Sequence, residues 1–275
     1  MHLIRASHVI IATGAQERPL VYANNDLPGC MQAYAVKSYI RKFGVVPGRK
    51  LILMATNDAA WETAFAWFDA GREVVAIVDS RAAPCADVLE GAVGRGIPVF
   101  ASCGVIEALG TASVRGARVA RLSEGLVEGT VQNLDCDTIA SSGGWSPVVH
   151  LTCHTGVRPV WRDDIAGFVP GSTTSNQHHV GGIIGEYSLA ELFNSAIKTS
   201  QEVLADLELP KIEPDVPRVE VPRRSVSDQL YLVPHTKTVS RAPKQFVDFQ
   251  LDVSAADLHI AALEGFESIE HVKRY

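Results

Sequence analysis

Two short segments, far apart in the chain, limit what it can fold into. Residues 7–15 read SHVIIATGA and residues 176–185 read NQHHVGGIIG. Each is an extended apolar run ending in small residues, the pattern with which a strand carries bare backbone to a dinucleotide at the carboxyl edge of a parallel sheet. Neither is a complete binding unit. The glycine-rich strand–turn–helix that opens such a unit is missing, and only six residues precede the first run. The pair therefore reads as two strands of one incomplete nucleotide-binding sheet, in a chain expected to be a segment of a larger subunit.

What lies between them has its own rhythm. A turn at 27–29 (LPG) leads into an amphipathic helix over 32–43. Residues 51–55 (LILMA) form an apolar run of strand length, and Thr56, Asn57 and Asp58 follow as a cap cluster. The spacing predicts a helix over 59–70 that Gly71 stops, a strand over 73–79, a helix near 86–95 and a strand over 97–101. Such a β-α-β-α-β unit forms a parallel sheet covered by helices. Residues 105–140 alternate in short pieces with turns at Gly110, Arg115-Gly116, Glu124-Gly125 and Glu128-Gly129, which reads as an antiparallel meander. The string SGGWSP at 142–147 predicts a tight turn, with the backbone of Gly143 and Gly144 open to a ligand. A long helix over 187–207 follows, then a proline- and charge-rich linker or strap at 208–245 and a small helical module at 246–275.

The insert is a poor place for a nucleotide. Its first strand–helix turn, ATNDAA at 55–60, has no glycine, and Asp58 puts negative charge where a pyrophosphate would sit. Asp58 is expected to cap the helix, and Asp79 occupies the ribose-binding position without a phosphate loop to accompany it. Ligand contact is thereby thrown back onto Thr13 with Gly14 and onto Gly181 with Gly182. No residue stands out as a general acid or base.

A net charge of −6 argues against a nucleic-acid partner, which needs clustered Lys and Arg. No apolar run approaches the roughly 20 residues that span a bilayer, and no signal-peptide pattern opens the chain, so the expected location is cytoplasmic. The five cysteines, Cys30, Cys85, Cys103, Cys136 and Cys153, form no C-x-x-C pair and read as reduced, buried thiols. HLTCH at 150–154 is read as packing, so no metal site is expected. His178 and His179 are neighbours on a strand and face opposite sides, so at most one of them contacts a ligand.

Five strings carry a family likeness: IIATGAQERP at 10–19, NNDLPG at 24–29, ATND at 55–58, SGGWSPV at 142–148 and EHVKRY at 270–275. They resemble the α subunit of heterotetrameric sarcosine oxidase over essentially the whole chain. The resemblance implies an α/β, two-dinucleotide-binding flavoprotein fold (FAD/NAD(P)-binding, Rossmann-like). It is incomplete here, split into residues 1–47 and 142–207 around an inserted second Rossmann-like domain at 48–141. It further implies NAD in this subunit, FAD in a β subunit, FMN at the α/β interface, and γ and δ subunits completing the complex. Such a complex demethylates sarcosine oxidatively to glycine, with hydrogen peroxide as product and the one-carbon unit passed to tetrahydrofolate. Ala12, Thr13 and Gly14 align with the family's strand end beside NAD, Gly181, Gly182 and Gly185 with the returning turn, and 142–147 with the rejoining segment.

The sequence departs from that family in lacking the opening glycine-rich loop and the following ribose-binding acid, both expected before residue 1, and the folate domain expected after residue 275. In related dehydrogenase subunits the terminal module resembles a [2Fe-2S] segment opening with C-x-C. Here Asp248 and Gln250 stand at those positions, and they supply no thiolate, so no iron–sulfur cluster is expected. The competing readings are an α subunit of the opine, proline or cyanide-synthase type, and a non-catalytic remnant or assembly scaffold. The incomplete first sheet also predicts poor solubility for the isolated segment.

Overall fold

A computed structural model of the chain describes residues 3–172, 176–219 and 225–274. The chain divides into two compact units, one of Met1–Glu17 with Trp145–Arg224, the other of Arg18–Gly144 with Ser225–Tyr275.

The larger unit is built on five strands in the order Cys30–Gln32, Thr138–Ser142, Lys50–Ala55, Glu73–Asp79, Val99–Ala101, all parallel. From Leu51 onward the Lys50–Ala55 strand is apolar and buried on both faces, and successive side chains enter different cores. Ile52 and Met54 join Ala76, Val78, Val105 and Val119 on the face covered by an antiparallel sheet. Leu51, Leu53 and Ala55 join Trp61, Trp67 and Ile77 on the face covered by the helices Ala33–Phe43, Trp61–Asp69 and Ala86–Val93. The first helix ends on Gly44 in the left-handed region, with Arg41 and Lys42 in its last turn, a favourable charge for a carboxyl terminus. Thr63 Oγ1 donates to the Ala33 carbonyl at 3.0 Å, joining this helix to the next.

Two sequence expectations change here. The unit boundaries fall at Glu17/Arg18 and Gly144/Trp145, rather than at 47/48 and 141/142. The cause is the Thr138–Ser142 strand. Instead of closing the meander, it slots between Cys30–Gln32 and Lys50–Ala55, parallel to both, and carries the Ala33–Phe43 helix into this unit with its partner strand. The meander has three strands, Cys103–Gly110, Val114–Ser123 and Leu126–Leu134. The expected turns at Arg115-Gly116 and Glu128-Gly129 lie inside strands. A Cβ on Gly116 would stand 2.8 Å from the Leu134 carbonyl oxygen, so glycine there serves a close approach of backbones.

The segment read as a linker or strap at 208–245 divides between the two. Residues 208–219 carry no regular structure, whereas beyond Ser225 the chain packs as a strap. Val233 is fully buried, its N–H donating to the Val21 carbonyl at 2.8 Å. The terminal module follows as a small hairpin, Phe246–Asp248 with Val253–Ser254, and the helix Ala255–Leu263, whose Ser254 and Asp257 form a reciprocal capping box. Asn25 clasps the module's first strand, its side-chain amide donating to the Phe246 carbonyl and accepting from the Phe246 N–H, both at 2.9 Å.

Among the described residues, the smaller unit contains three strand pairs. Val9–Ile11 runs parallel to Gln177–His179, Ala15–Glu17 antiparallel to Trp145–Pro147, and Pro159–Arg162 antiparallel to Gly167–Pro170. The strand expected to run on to residue 184 ends at His179 and gives way to a 3-10 turn, Gly181–Ile184. The long helix is Leu189–Asp206, opened by a Ser188–Glu191 capping box. No helix among the described residues is long and apolar enough to cross a membrane.

Candidate functional site

The two segments that constrain the sequence meet in the smaller unit. Ile10 lies opposite His178 and Ile11 opposite His179, and the Val180 N–H donates to the Ile11 carbonyl at 3.1 Å, so both strands end at one level. Past Ile11, Ala12 and Thr13 are exposed and Gly14 turns the chain with φ +71°. The turn is pinned twice to Val148. Thr13 Oγ1 donates to the Val148 carbonyl at 2.7 Å, and the Val148 N–H donates to the Gly14 carbonyl at 2.9 Å.

Past His179, Gly181 takes φ +80° and starts the 3-10 turn. A Cβ on Gly182 would lie 3.2 Å from the Gly14 Cα and 3.3 Å from the Ala15 nitrogen. The two turns thus touch backbone to backbone, which only glycine permits without displacement. The first N–H groups of such a turn have no partner within it, so they are disposed to bind an anion. Gly185 closes the turn at φ +80°, where a Cβ would meet Ile165 Cδ1 at 2.7 Å. The Arg162 guanidinium donates to the Ile184 carbonyl at 2.8 Å and fixes that end.

One polar atom beside this turn was not anticipated. Glu186 Oε2 is buried with no hydrogen-bond partner among the described residues. A buried carboxylate oxygen wants a donor, and a ribose hydroxyl is one. The only signal in the sequence was an acid directly after a G-G-x-x-G string.

Gly143 and Gly144 belong to the larger unit, where their backbone is engaged with Arg18. The Gly143 N–H donates to the Arg18 carbonyl, the Arg18 N–H donates to the Gly144 carbonyl, and Arg18 Nε donates to the Gly143 carbonyl, all at 2.8 Å.

The crevice of the larger unit is filled by its own residues. Asn57, rather than Asp58, is the cap, accepting from the Ala60 N–H at 3.1 Å. Asp58 instead faces Arg81 Nη1 at 2.9 Å and accepts from the Ser225 N–H at 2.7 Å, so the strap closes over the place a pyrophosphate would take. Asp79 is wholly buried, held by Trp61 Nε1 at 2.8 Å and by Arg81 Nε and Nη2 at 2.9 and 2.8 Å. Burial alone, the largest influence, would pull the Arg81 guanidinium down, but its bonds and charge interactions with Asp79 and Asp58 outweigh that and raise it above its ordinary value.

Burial also pushes three thiols up, Cys103 among them, with Cys30 raised to about 11 and Cys136 to about 12, which keeps the latter two protonated at neutral pH. Against the expectation of five buried thiols, Cys85 and Cys136 are buried, Cys30 and Cys103 are half-buried and Cys153 is exposed.

Known structures resemble the chain in overall fold. L-proline dehydrogenase from P. horikoshii resembles 98% of this chain with a TM-score of 0.59 at 16% identity, the chain covering 48% of that protein. Thioredoxin reductase from T. acidophilum resembles 74% of it with a TM-score of 0.56, also at 16% identity, covering 66% of that chain. The fold is therefore that of the FAD/NAD(P)-binding flavoproteins, present here in incomplete form.

In sequence, the chain is 34% identical over 276 residues to the sarcosine oxidase α subunit of Corynebacterium sp. (strain P-1), covering 99% of this chain and 28% of that one. It is equally 34% identical over 273 residues to the corresponding α subunit of Rhizobium meliloti (strain 1021), with 99% and 26% covered. A shorter similarity, 31% over 98 residues, links 36% of the chain to 19% of one of the subunits of opine oxidase from Agrobacterium tumefaciens (strain Ach5). Residues 242–275 match the sarcosine oxidase A3 domain. The chain is a homologue of the sarcosine oxidase α subunits, and it spans little more than a quarter of their length.

Proposed function

We propose that this chain is the nucleotide-binding portion of the α subunit of an amine-oxidising complex of the sarcosine oxidase type, holding NAD against the paired turns of the smaller unit. The observation that carries the reading is the backbone contact of Gly182 with Gly14. Two strand ends lie side by side there with no side chain between them, beside the buried Glu186 oxygen. In this reading Ala12, Thr13 and Gly14 form one wall and Gly181, Gly182 and Gly185 the other. Their peptide N–H groups orient the pyrophosphate, and Glu186 accepts from a ribose hydroxyl. Gly143 and Gly144 set the course of the segment that rejoins the first unit. The residues bind and orient, and none acts as acid or base.

A bound flavin supplies the electron-accepting ring for amine oxidation. We assign FMN to the α/β interface and FAD to a β subunit, with γ and δ subunits completing a cytoplasmic complex. That complex oxidises sarcosine to glycine, yields hydrogen peroxide and passes the one-carbon unit to tetrahydrofolate. The 34% identity along the chain supports this setting. A second reading, an opine-oxidising α subunit, has the similarity to the opine oxidase chain in its favour. Asp248 and Gln250, which cannot bind iron as thiolates do, weigh against the cluster-bearing branch.

Calorimetric titration of the chain with NAD tests the nucleotide site. One equivalent should bind, Glu186→Gln and Gly182→Val should each weaken binding at least tenfold, and Arg121→Ala in the larger unit should leave it unchanged. No binding at millimolar NAD, or full affinity in both site variants, would overturn the reading.

A further inference from the structure

We propose that His8, His178 and Asp206 form a binding site for a divalent first-row transition cation such as Zn²⁺, Co²⁺ or Ni²⁺, separate from the nucleotide-binding turns. His8 sits one residue before the Val9–Ile11 strand, so it shares a face with Ile10, and Ile10 lies directly opposite His178. The segment is fixed in place. The Val9 N–H donates to the Asn176 carbonyl and Asn176 Nδ2 donates to the Ser7 carbonyl, both at 2.9 Å. His8 Nδ1 consequently stands 3.1 Å from His178 Nε2, although the two residues are 170 apart in sequence. The Asp206 carboxylate completes the group, and one donor atom from each of the three lies within 4.8 Å of the others.

The geometry suits a metal. Two nitrogens bound to one tetrahedral ion at about 2.0–2.1 Å are separated by roughly 3.3 Å, close to the spacing already present. The Asp206 carboxylate is exposed and reaches the same ion by moving on the order of 1 Å through a side-chain rotation. Two imidazole nitrogens and one carboxylate oxygen form a donor set for zinc, cobalt, nickel or iron. Mg²⁺ and Ca²⁺ prefer oxygen ligands throughout.

A second observation concerns the helix. Asp206 is the last residue of Leu189–Asp206, and that helix has no basic residue in its last turn. A carboxylate at the negative end of a helix dipole is unfavourable, and a cation held there reverses the sign of the interaction. Water fills the remaining coordination positions, so the ion is exchangeable. It would also tie the end of the long helix to the start of the paired strands.

The test uses the chain as it stands, freed of metal by chelation and dialysis and titrated with ZnCl₂ alone at about pH 7.5, with CoCl₂ as a spectroscopic probe. One equivalent should bind, with Co²⁺ giving the intense visible bands of four-coordinate nitrogen and oxygen ligation. His8→Gln and Asp206→Asn should each lower affinity at least tenfold, while His154→Gln should leave it unchanged and MgCl₂ should not compete. Circular dichroism shows whether each variant keeps its fold. Because His8 and Asp206 are at most half-buried, both variants are expected to do so. Absence of stoichiometric binding, or affinity unchanged by His8→Gln and Asp206→Asn in folded protein, overturns the proposal. The readout is metal alone and does not depend on whether NAD binds.

Discussion

Arg81 neutralises two carboxylates at once in the interior of the larger unit. Replacing it by methionine keeps the bulk and leaves Asp58 and Asp79 uncompensated, and breaking one side of a buried pair in this way costs about 3–5 kcal/mol. Urea denaturation of Arg81→Met should show that loss as a lower midpoint with an unchanged slope. His179 gives a pH effect of definite sign. Burial, and secondarily the charge of His178, hold it below its ordinary 6.5. As pH falls below 6.5 the unfolded chain takes up a proton that the folded chain refuses. Stability therefore declines through the window beneath 6.5 and is unaffected by this group above it. Urea midpoints measured between about pH 7 and about pH 5 with chelator present should show that acid limb, and His179→Gln should flatten it. Single residues were the least legible level of the sequence. Asp58 looked like a cap because its position is right for one. Its true partners, Arg81 and Ser225, lie on other elements that no local spacing connects to it.

Elements were legible where their signal is local. The Glu73–Asp79 strand falls where its apolar run ends in an acid, and the Lys50–Ala55 strand differs from expectation by one residue. The Thr138–Ser142 strand was read as a trailing piece of the meander because TIASS has neither strong periodicity nor bulk. Its small, wholly buried side chains fit a central slot whose neighbours come from distant parts of the chain. The terminal module rests on a comparably non-local feature, the two-way amide clasp of Asn25 on Phe246. Asn25→Ala leaves a backbone donor and acceptor unpaired, a loss of about 1–3 kcal/mol where they stay out of water. Hydrogen exchange should quicken at residues 246–255 while protection in the Lys50–Ala55 strand is retained. Equal deprotection of both regions would show that the module and sheet unfold together.

For the molecule as a whole, the sequence conveyed the fold class and the nesting of one unit inside the other, but placed the junctions some 30 residues late at the first crossing. It left residues 208–245 as linker or strap because proline and charge describe both. What remains linker-like is residues 208–219, where Lys211 and Arg218 lie in chain without regular structure. Brief trypsin digestion should cut at Lys211 or Arg218 before any site in the five-stranded sheet, as mass spectrometry of the first fragments would reveal. Early cleavage inside residues 50–55 would contradict the stability assigned to that core. Val9 and Ile10, about half exposed on the short parallel pair, are part of the exposed apolar surface from which limited solubility would arise.

The Asp58–Arg81–Asp79 cluster also bears on how the protein should respond to the nucleotide proposed for it. A protein that binds a nucleotide is stabilised in proportion to the logarithm of ligand concentration, but only in the part that unfolds when the ligand leaves. The larger unit has filled its crevice with its own ion-paired side chains, which are always present. If the smaller unit binds NAD as proposed, melting of the larger unit should be indifferent to NAD concentration, whereas melting of the smaller unit should climb with it. The cell's nucleotide supply would then be registered by one half of the chain, while the other half holds its shape whether the cell is rich in NAD or depleted of it.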